Sequence, residues 1–168
     1  MRTALVLLIG SFIALLIYIA TAVIGGYKYN NEIESYWRLA DKSSTISKKI
    51  EGIDKYIAAL EKTNLQGKYN AIFLTTPDNS FDANFEALKS LQQRLHDIEK
   101  MDVKSFEYQT AMQQLTGQEM GEANDMINTF KSIWWKEHHI MLWNWIGTTG
   151  ILLFCLIFIV SAMWLLDN

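Results

Sequence analysis

Residues 4–24 read ALVLLIGSFIALLIYIATAVI, 21 residues without a charge. At about 1.5 Å of rise per helical residue the stretch reaches ~31 Å, close to the hydrocarbon thickness of a bilayer. The small residues Ala20-Thr21-Ala22 also resemble a leader-cleavage site, so a removed signal peptide is the rival reading. The apolar stretch is longer than the core of an ordinary leader, and the expectation is an uncleaved anchor.

A second apolar run closes the sequence, and residues 133–168 read IWWKEHHIMLWNWIGTTGILLFCLIFIVSAMWLLDN. Trp143 and Trp164 are again roughly 31 Å apart along a helix, and tryptophan favours the two water–lipid boundaries. Trp134, Trp135, Trp143 and Trp145 mark one boundary and Trp164 the other. Lys136, Glu137, His138 and His139 then fall just outside the hydrocarbon. The expected organisation is a transmembrane helix over 4–26, a helical bundle domain over 27–139 and a second transmembrane helix over 140–166. That is an all-α membrane protein, two transmembrane helices flanking an antiparallel up-and-down helical bundle. Two crossings put both termini on the same side and leave the middle as the working domain. Arg2 argues for termini inside, whereas Lys28, Arg38, Lys131 and Lys136 on the domain side argue the reverse. Long connecting segments translocate largely regardless of charge. The expectation is an extracytoplasmic domain.

The composition agrees with this division. Of 15 basic and 18 acidic residues, only Arg2 and Asp167 lie outside the middle segment. The near balance and the lack of a basic run argue against nucleic acid as a partner. A single cysteine, Cys155, cannot form a disulfide or thiolate metal cluster within one chain.

The middle reads as helix throughout. Ile33, Tyr36, Trp37, Ala40, Ile46, Ile50, Ile53, Ile57 and Leu60 form an amphipathic stripe. It continues from the first span, with Gly25-Gly26 as a kink candidate. TTPDNS at 75–80 holds the chain's one proline and is the clearest turn. Asn79 or Ser80 then caps a helix bearing Phe85, Leu88, Leu91, Leu95 and Ile98. A weaker break falls at Met101–Ser105, and Tyr108, Met112, Leu115, Ala123, Met126, Ile127, Phe130 and Ile133 lead into the last span. A chain that leaves the membrane and returns needs an even number of legs. The sequence allows one long returning leg over 81–135 or a short extra leg around 64–75; the bundle is read with three long legs and one short one.

No nucleophile elbow, dinucleotide or phosphate loop, CxxC or HExxH occurs, and no catalytic, cofactor-binding or metal-binding residue is assigned. Glu137-His138-His139 is the one sequence candidate for a metal. Adjacent helical residues point about 100° apart, so the two histidines do not converge on one ion without ligands from a second subunit. His96 stands alone. The polar stretch QQLTGQEMGEAND at 113–125 reads either as a contact surface, with Gly117 and Gly121 admitting a neighbouring helix, or as a solvated face. Gly10/Ala14 and Ala22/Gly26 have the spacing of close helix packing in membranes. Asn144, Thr148 and Thr149 sit where a span would meet the domain. No charge lies deep in either span, which argues against an ion or proton pathway.

Several motifs resemble the LemA family. YWRLAD, with Trp37 four residues before Asp41, is similar to that family's tryptophan–aspartate pair. TTPDNSFDANFEALKSLQQRLHDIEK resembles its stretch from a Tyr-Pro turn into a helix. Pro77, Asn84, Phe85 and Leu88 fall at matching offsets; Leu95, Ile98 and Glu99 match after a shift of about three residues. YQTAM at 108–112 is similar to the family's Tyr-Asn-x-Ala-Val. The likeness covers about half the chain. The family's Arg-Arg-x-Asp-Leu-Ile-Pro-Asn-Leu signature is replaced here by SKKIEGIDKY, and a typical member has one anchor. The resemblance implies a membrane-anchored helical bundle with no established enzymatic activity.

These readings point to a non-catalytic, membrane-anchored protein that acts in assembly or scaffolding. It would self-associate as a homo-oligomer or serve as an accessory subunit of a larger membrane complex, with the lipid bilayer as its other partner and no cofactor. The alternative is an extracytoplasmic sensor module signalling through a partner, by fold-level likeness to chemoreceptor and sensor-kinase input domains. The short segment after the second span disfavours it.

Overall fold

The computed structural model describes residues 2–71, 74–115, 120–138 and 145–166. Among them every named element is helical, and an isolated antiparallel bridge between Tyr69 and Ser80 is the one extended pairing. The chain divides into two compact units, Met1–Tyr27 with Trp135–Asn168, and Lys28–Trp134.

Helix α1 spans Arg2–Tyr29 and runs unbroken through Gly25-Gly26. The irregularity falls one turn later. Asn30–Glu34 forms a π-helical turn in which the Ser35 N–H reaches back five residues to the Asn30 carbonyl. Helix α2, Ser35–Lys42, follows without a gap. Among the described residues one helix is long and apolar enough to cross a membrane, the run Leu5–Lys42, whose apolar part lies near its N-terminus.

In the first unit α1 presents Leu8, Ser11, Leu15, Tyr18, Ala22 and Gly25 at alternating three- and four-residue steps, each at least half-buried. That spacing keeps one seam toward a neighbouring helix. Helix α7, Trp145–Leu166, is the neighbour. Ser11 and Ser161 are both 6 % exposed, and the Phe12 and Phe158 rings lie 6.1 Å apart. The Ser11 hydroxyl donates to the Leu8 carbonyl of its own helix, so its burial leaves no open donor. Gly10 faces outward, and a Cβ added there would meet nothing within 4 Å, so Ser11 is the small residue at this contact. The remaining faces expose large aliphatics, among them Val6, Ile13, Ile17 and Val23 on α1 and Leu152, Leu156 and Val160 on α7.

The second unit is a helical bundle. Helix α3 (Ile46–Glu61) turns back on α2, because Trp37 packs on Tyr56 and Ala40 on Gly52: as one index rises the other falls. Helix α4 (Phe81–Glu99) reverses again, with Gln92 on Asp54 and Lys89 on Glu61. After α5 (Phe106–Gln114), α6 (Met120–Glu137) runs against the first leg, with Trp134 on Tyr29 and Lys131 on Glu34. Phe130 fills the centre and is 0 % exposed against Tyr56, Phe81 and Phe85.

Two expectations are corrected here. The short leg around 64–75 does not form: the described residues of that stretch are turns and extended chain. Asn64 (φ 54) and Gly67 (φ 71) adopt left-handed backbone, which ends α3 and cannot continue it. The extra reversal sits instead at Ser43–Thr45, inside what reads as one continuous stripe. Ser43 and Thr45 are extended, and the Ser43 hydroxyl donates to the Leu39 carbonyl, so a short polar side chain takes over from the helix ladder. The stripe carried a trace of this break: Ala40 to Ile46 is a step of six. The 75–80 turn and the break before Ser105 appear where the sequence puts them, with the Ser80 and Ser105 hydroxyls accepting from the Ala83 and Tyr108 amides.

Candidate functional site

The π-turn and the residue before it bring Tyr29 and Asn30 against the bundle interior and leave Glu34 at its rim. Tyr29, at the end of α1, is 0 % exposed; the Asn30 side-chain oxygen is buried; Glu34, at the end of the turn, keeps its carboxylate near the surface. Tyr56 of α3, also 0 % exposed, reaches the same place from the facing leg. Lys131 of α6 closes it, with Nζ 3.1 Å from Glu34 Oε2 and 5.8 Å from the Tyr29 ring centre. Trp134 covers the Tyr29 ring at 5.3 Å. Arg38, one turn along the same helix, adds a second cation 3.8 Å from Glu34 Oε1.

The aromatic bodies are buried for apolar reasons, and their hydroxyls come along. The Tyr29 and Tyr56 hydroxyls act on each other in the interior. Among the described residues neither they nor the Asn30 oxygen has a hydrogen-bond partner. A buried polar group left unpaired costs about 1–3 kcal/mol. Burial pushes the Tyr29 hydroxyl well above the tyrosine range; the Tyr56 hydroxyl offsets part of this and the Glu34 charge adds to it. Tyr56 is raised by burial first, then by Tyr29 and Glu34. Both rings therefore stay protonated at ordinary pH, and the cluster is a neutral polar node with Glu34 paired to Lys131 and Arg38 at its rim. It contains no activated nucleophile. Nothing in the sequence marked this node: neither Tyr29 nor Tyr56 belongs to the apolar stripe read from the periodicity, and the π-turn beside Tyr29 has no local signature there.

The residues weighed from sequence are placed as follows. Glu137 ends α6 and His138 lies in the turn after it, while His139 and Asn144 fall outside the described residues. His96 is not isolated: its Nε2 is 3.5 Å from Asp54 Oδ1 across α3 and α4, where Gln92 also donates at 2.6 Å. Among the described residues no three metal-ligating side chains converge. Of the polar stretch 113–125, Gly117 is outside the described residues, Leu115 and Ala123 are buried, and Asp125 lines a cleft. That cleft, about 560 Å³, runs between the Pro77–Asn79 turn with Asn84 on one wall and Asp125, Met126 and Thr129 on the other. The Asn79 and Asn84 amides are occupied holding the turn, through the Leu74, Asp78 and Ser80 carbonyls. Trp37 is buried on Tyr56, whereas Asp41 is exposed and lends only its carbonyl, to Lys49.

No family model matches this chain, and neither the curated proteins nor the solved structures hold a match to it.

Proposed function

We propose that this chain is a non-catalytic, membrane-anchored helical-bundle protein that serves in membrane assembly or scaffolding, by self-association or as an accessory subunit of a larger membrane complex. The observation that carries the reading is the outward face of the first unit. Leu5 to Ile24 and Leu152 to Trp164 hold large aliphatics that are half or more exposed, such as Val6 at 68 %, Val23 at 64 % and Leu152 at 63 %. Aliphatic surface on that scale is stable only where the surroundings are apolar too. Helix α7 then acts as a second crossing, both termini lie on one side, and the bundle stands on the other, taken here as extracytoplasmic. The motifs around Trp37, Pro77 and Tyr108 that resemble the LemA family support an anchored bundle rather than an enzyme.

The test is membrane partition followed by capture. The protein should resist carbonate extraction, enter the detergent phase, and carry tags at both ends to the same side. Crosslinking in native membranes should recover a second copy or a distinct membrane subunit. Release by carbonate would end the anchoring reading, and a single-chain particle without crosslinked partners would end the assembly reading.

The π-turn favours a second reading, an input module whose anchor helix continues directly into the bundle and signals through a partner. Thermal stabilisation of the protein by one small metabolite in a screen would select it.

A further inference from the structure

The helical run from Leu5 to Lys42 contains two unusual neighbours: the Gly25-Gly26 pair, helical throughout, and the π-turn at Asn30–Glu34 one turn beyond. A π-turn holds one residue more than the α-helix around it. It can be relocated along a helix, and only the residues it passes then turn, by roughly 100° each. The ends of the helix need not move.

Three observations make such a relocation cheap here. The present register buries the Tyr29 and Tyr56 hydroxyls and the Asn30 oxygen without partners among the described residues, so it carries a standing cost. The adjoining turn toward the N-terminus contains two glycines, the residue that loosens a helix most short of proline. Among the described residues packing does not require glycine at position 26, because the nearest atom to an added Cβ is Trp135 Cζ2 at an ordinary 3.6 Å. An alanine would fit and would stiffen the turn, yet the chain keeps glycine.

We infer that the π-turn is a movable register element: it exchanges between Asn30–Glu34 and the Gly25-Gly26 turn, swinging Tyr29 off Tyr56 and out of the bundle interior. In the described register Lys131 holds Glu34 and lies beside the Tyr29 ring, so the ion pair at 3.1 Å secures the inward position. The device sits where the apolar part of the run gives way to the bundle, and it does not depend on what the bundle assembles with.

Amide hydrogen exchange on the full chain in detergent micelles tests it, because relocation breaks the helix ladder of residues 26–34 whereas rotation of the Tyr29 ring does not. In the native sequence these amides should exchange at least tenfold faster than those of the turns on either side. Gly26→Ala, by stiffening the receiving turn, should slow them roughly fivefold. Tyr29→Phe, by removing an unpaired hydroxyl from the present register, should slow them at least as much while leaving helix propensity unchanged. Slowing in both variants supports the exchange. Protection equal to the flanking turns, or slowing in Gly26→Ala alone, overturns it, the latter because a stiffer glycine site then explains everything. Circular dichroism of each variant identifies one that has merely failed to fold.

Discussion

One uninterrupted run of helix, Leu5 to Lys42, follows opposite rules in its two parts. Over residues 5–24 most large aliphatics face out, Leu8 and Leu15 of the seam excepted: Leu16 is 49 % exposed and Ile17 59 %. Over residues 29–40 Tyr29, Ile33 and Trp37 face in, between 0 and 3 % exposed, while Leu39 stays 55 % exposed. The π-turn at Asn30–Glu34 aside, both parts are α-helical, and the proposed function attributes the difference to the solvent around each. Where water surrounds the helix, about 25 cal/mol per Å2 of apolar surface drives a stripe into a core. On the proposed reading that lipid surrounds residues 5–24, that drive is absent there and close packing remains, with Ser11, Ala22 and Gly25 as the small residues of the seam.

The sharpest way to break this comparison is to truncate one large side chain in each part. Phe130→Ala removes the ring at the centre of the bundle and should cost about 3–5 kcal/mol, read as a collapse of the unfolding midpoint in detergent. Leu88→Ala, at 0 % exposure, should cost about 2–5 kcal/mol, whereas Leu16→Ala should stay within about 0.5 kcal/mol of the parent. Equal losses at Leu88 and Leu16 would mean that residues 5–24 are packed by protein after all.

Glycines give the next contrast. An added Cβ at Gly52 would sit 2.7 Å from the Ala40 Cβ and about as near to that residue's backbone, neither of which can yield. Gly52→Ala should therefore cost about 1–3 kcal/mol by forcing α2 off α3. Gly10→Ala, with open space around it, should leave thermal unfolding unchanged or raise its midpoint slightly.

Alkaline titration sharpens the account of the polar node. Tyr29 and Tyr56 hold their protons in the folded state above the pH near 10.0 at which an unfolded tyrosine releases them. The folded state thus binds more protons than the unfolded one, and stability present below that pH is lost as pH rises beyond it. Each tyrosine contributes up to about 1.4 kcal/mol per pH unit. The double variant Tyr29→Phe/Tyr56→Phe should show a flatter dependence of its unfolding midpoint from pH 9.5 upward.

A more modest loss is expected at Lys49. This buried lysine donates at 3.2 Å to both the Ala40 and Asp41 carbonyls at the C-terminus of α2, where a cation meets the negative end of the helix. Lys49→Met keeps the bulk and removes the charge, and should lower stability by about 1 kcal/mol in chemical unfolding.

Much of this architecture is readable from local pattern. The apolar run at 4–24, the turn around Pro77 and the serine caps at Ser80 and Ser105 rest on forces acting within a few residues of each other. The same holds for the stripes on α4 and α6, whose repeat alone tells which face turns inward. The reversal at Ser43–Thr45 is harder to read, because the apolar stripe resumes after it and its local trace is the six-residue step from Ala40 to Ile46. The seating of Gly52 on Ala40 and of Tyr56 on Trp37 distinguishes a hairpin from a long rod.

The sequence by itself determined that this is a helical chain with a charge-free stretch long enough for a bilayer and a polar, water-compatible middle, because composition and period act residue by residue. Tertiary structure decided what meets in the interior. It brought Tyr29 to Tyr56 and Lys131 to Glu34, side chains separated by 27 and 97 positions, and it set the π-turn that aims them. Such meetings depend on how distant legs settle against one another, and no local rule carries that information.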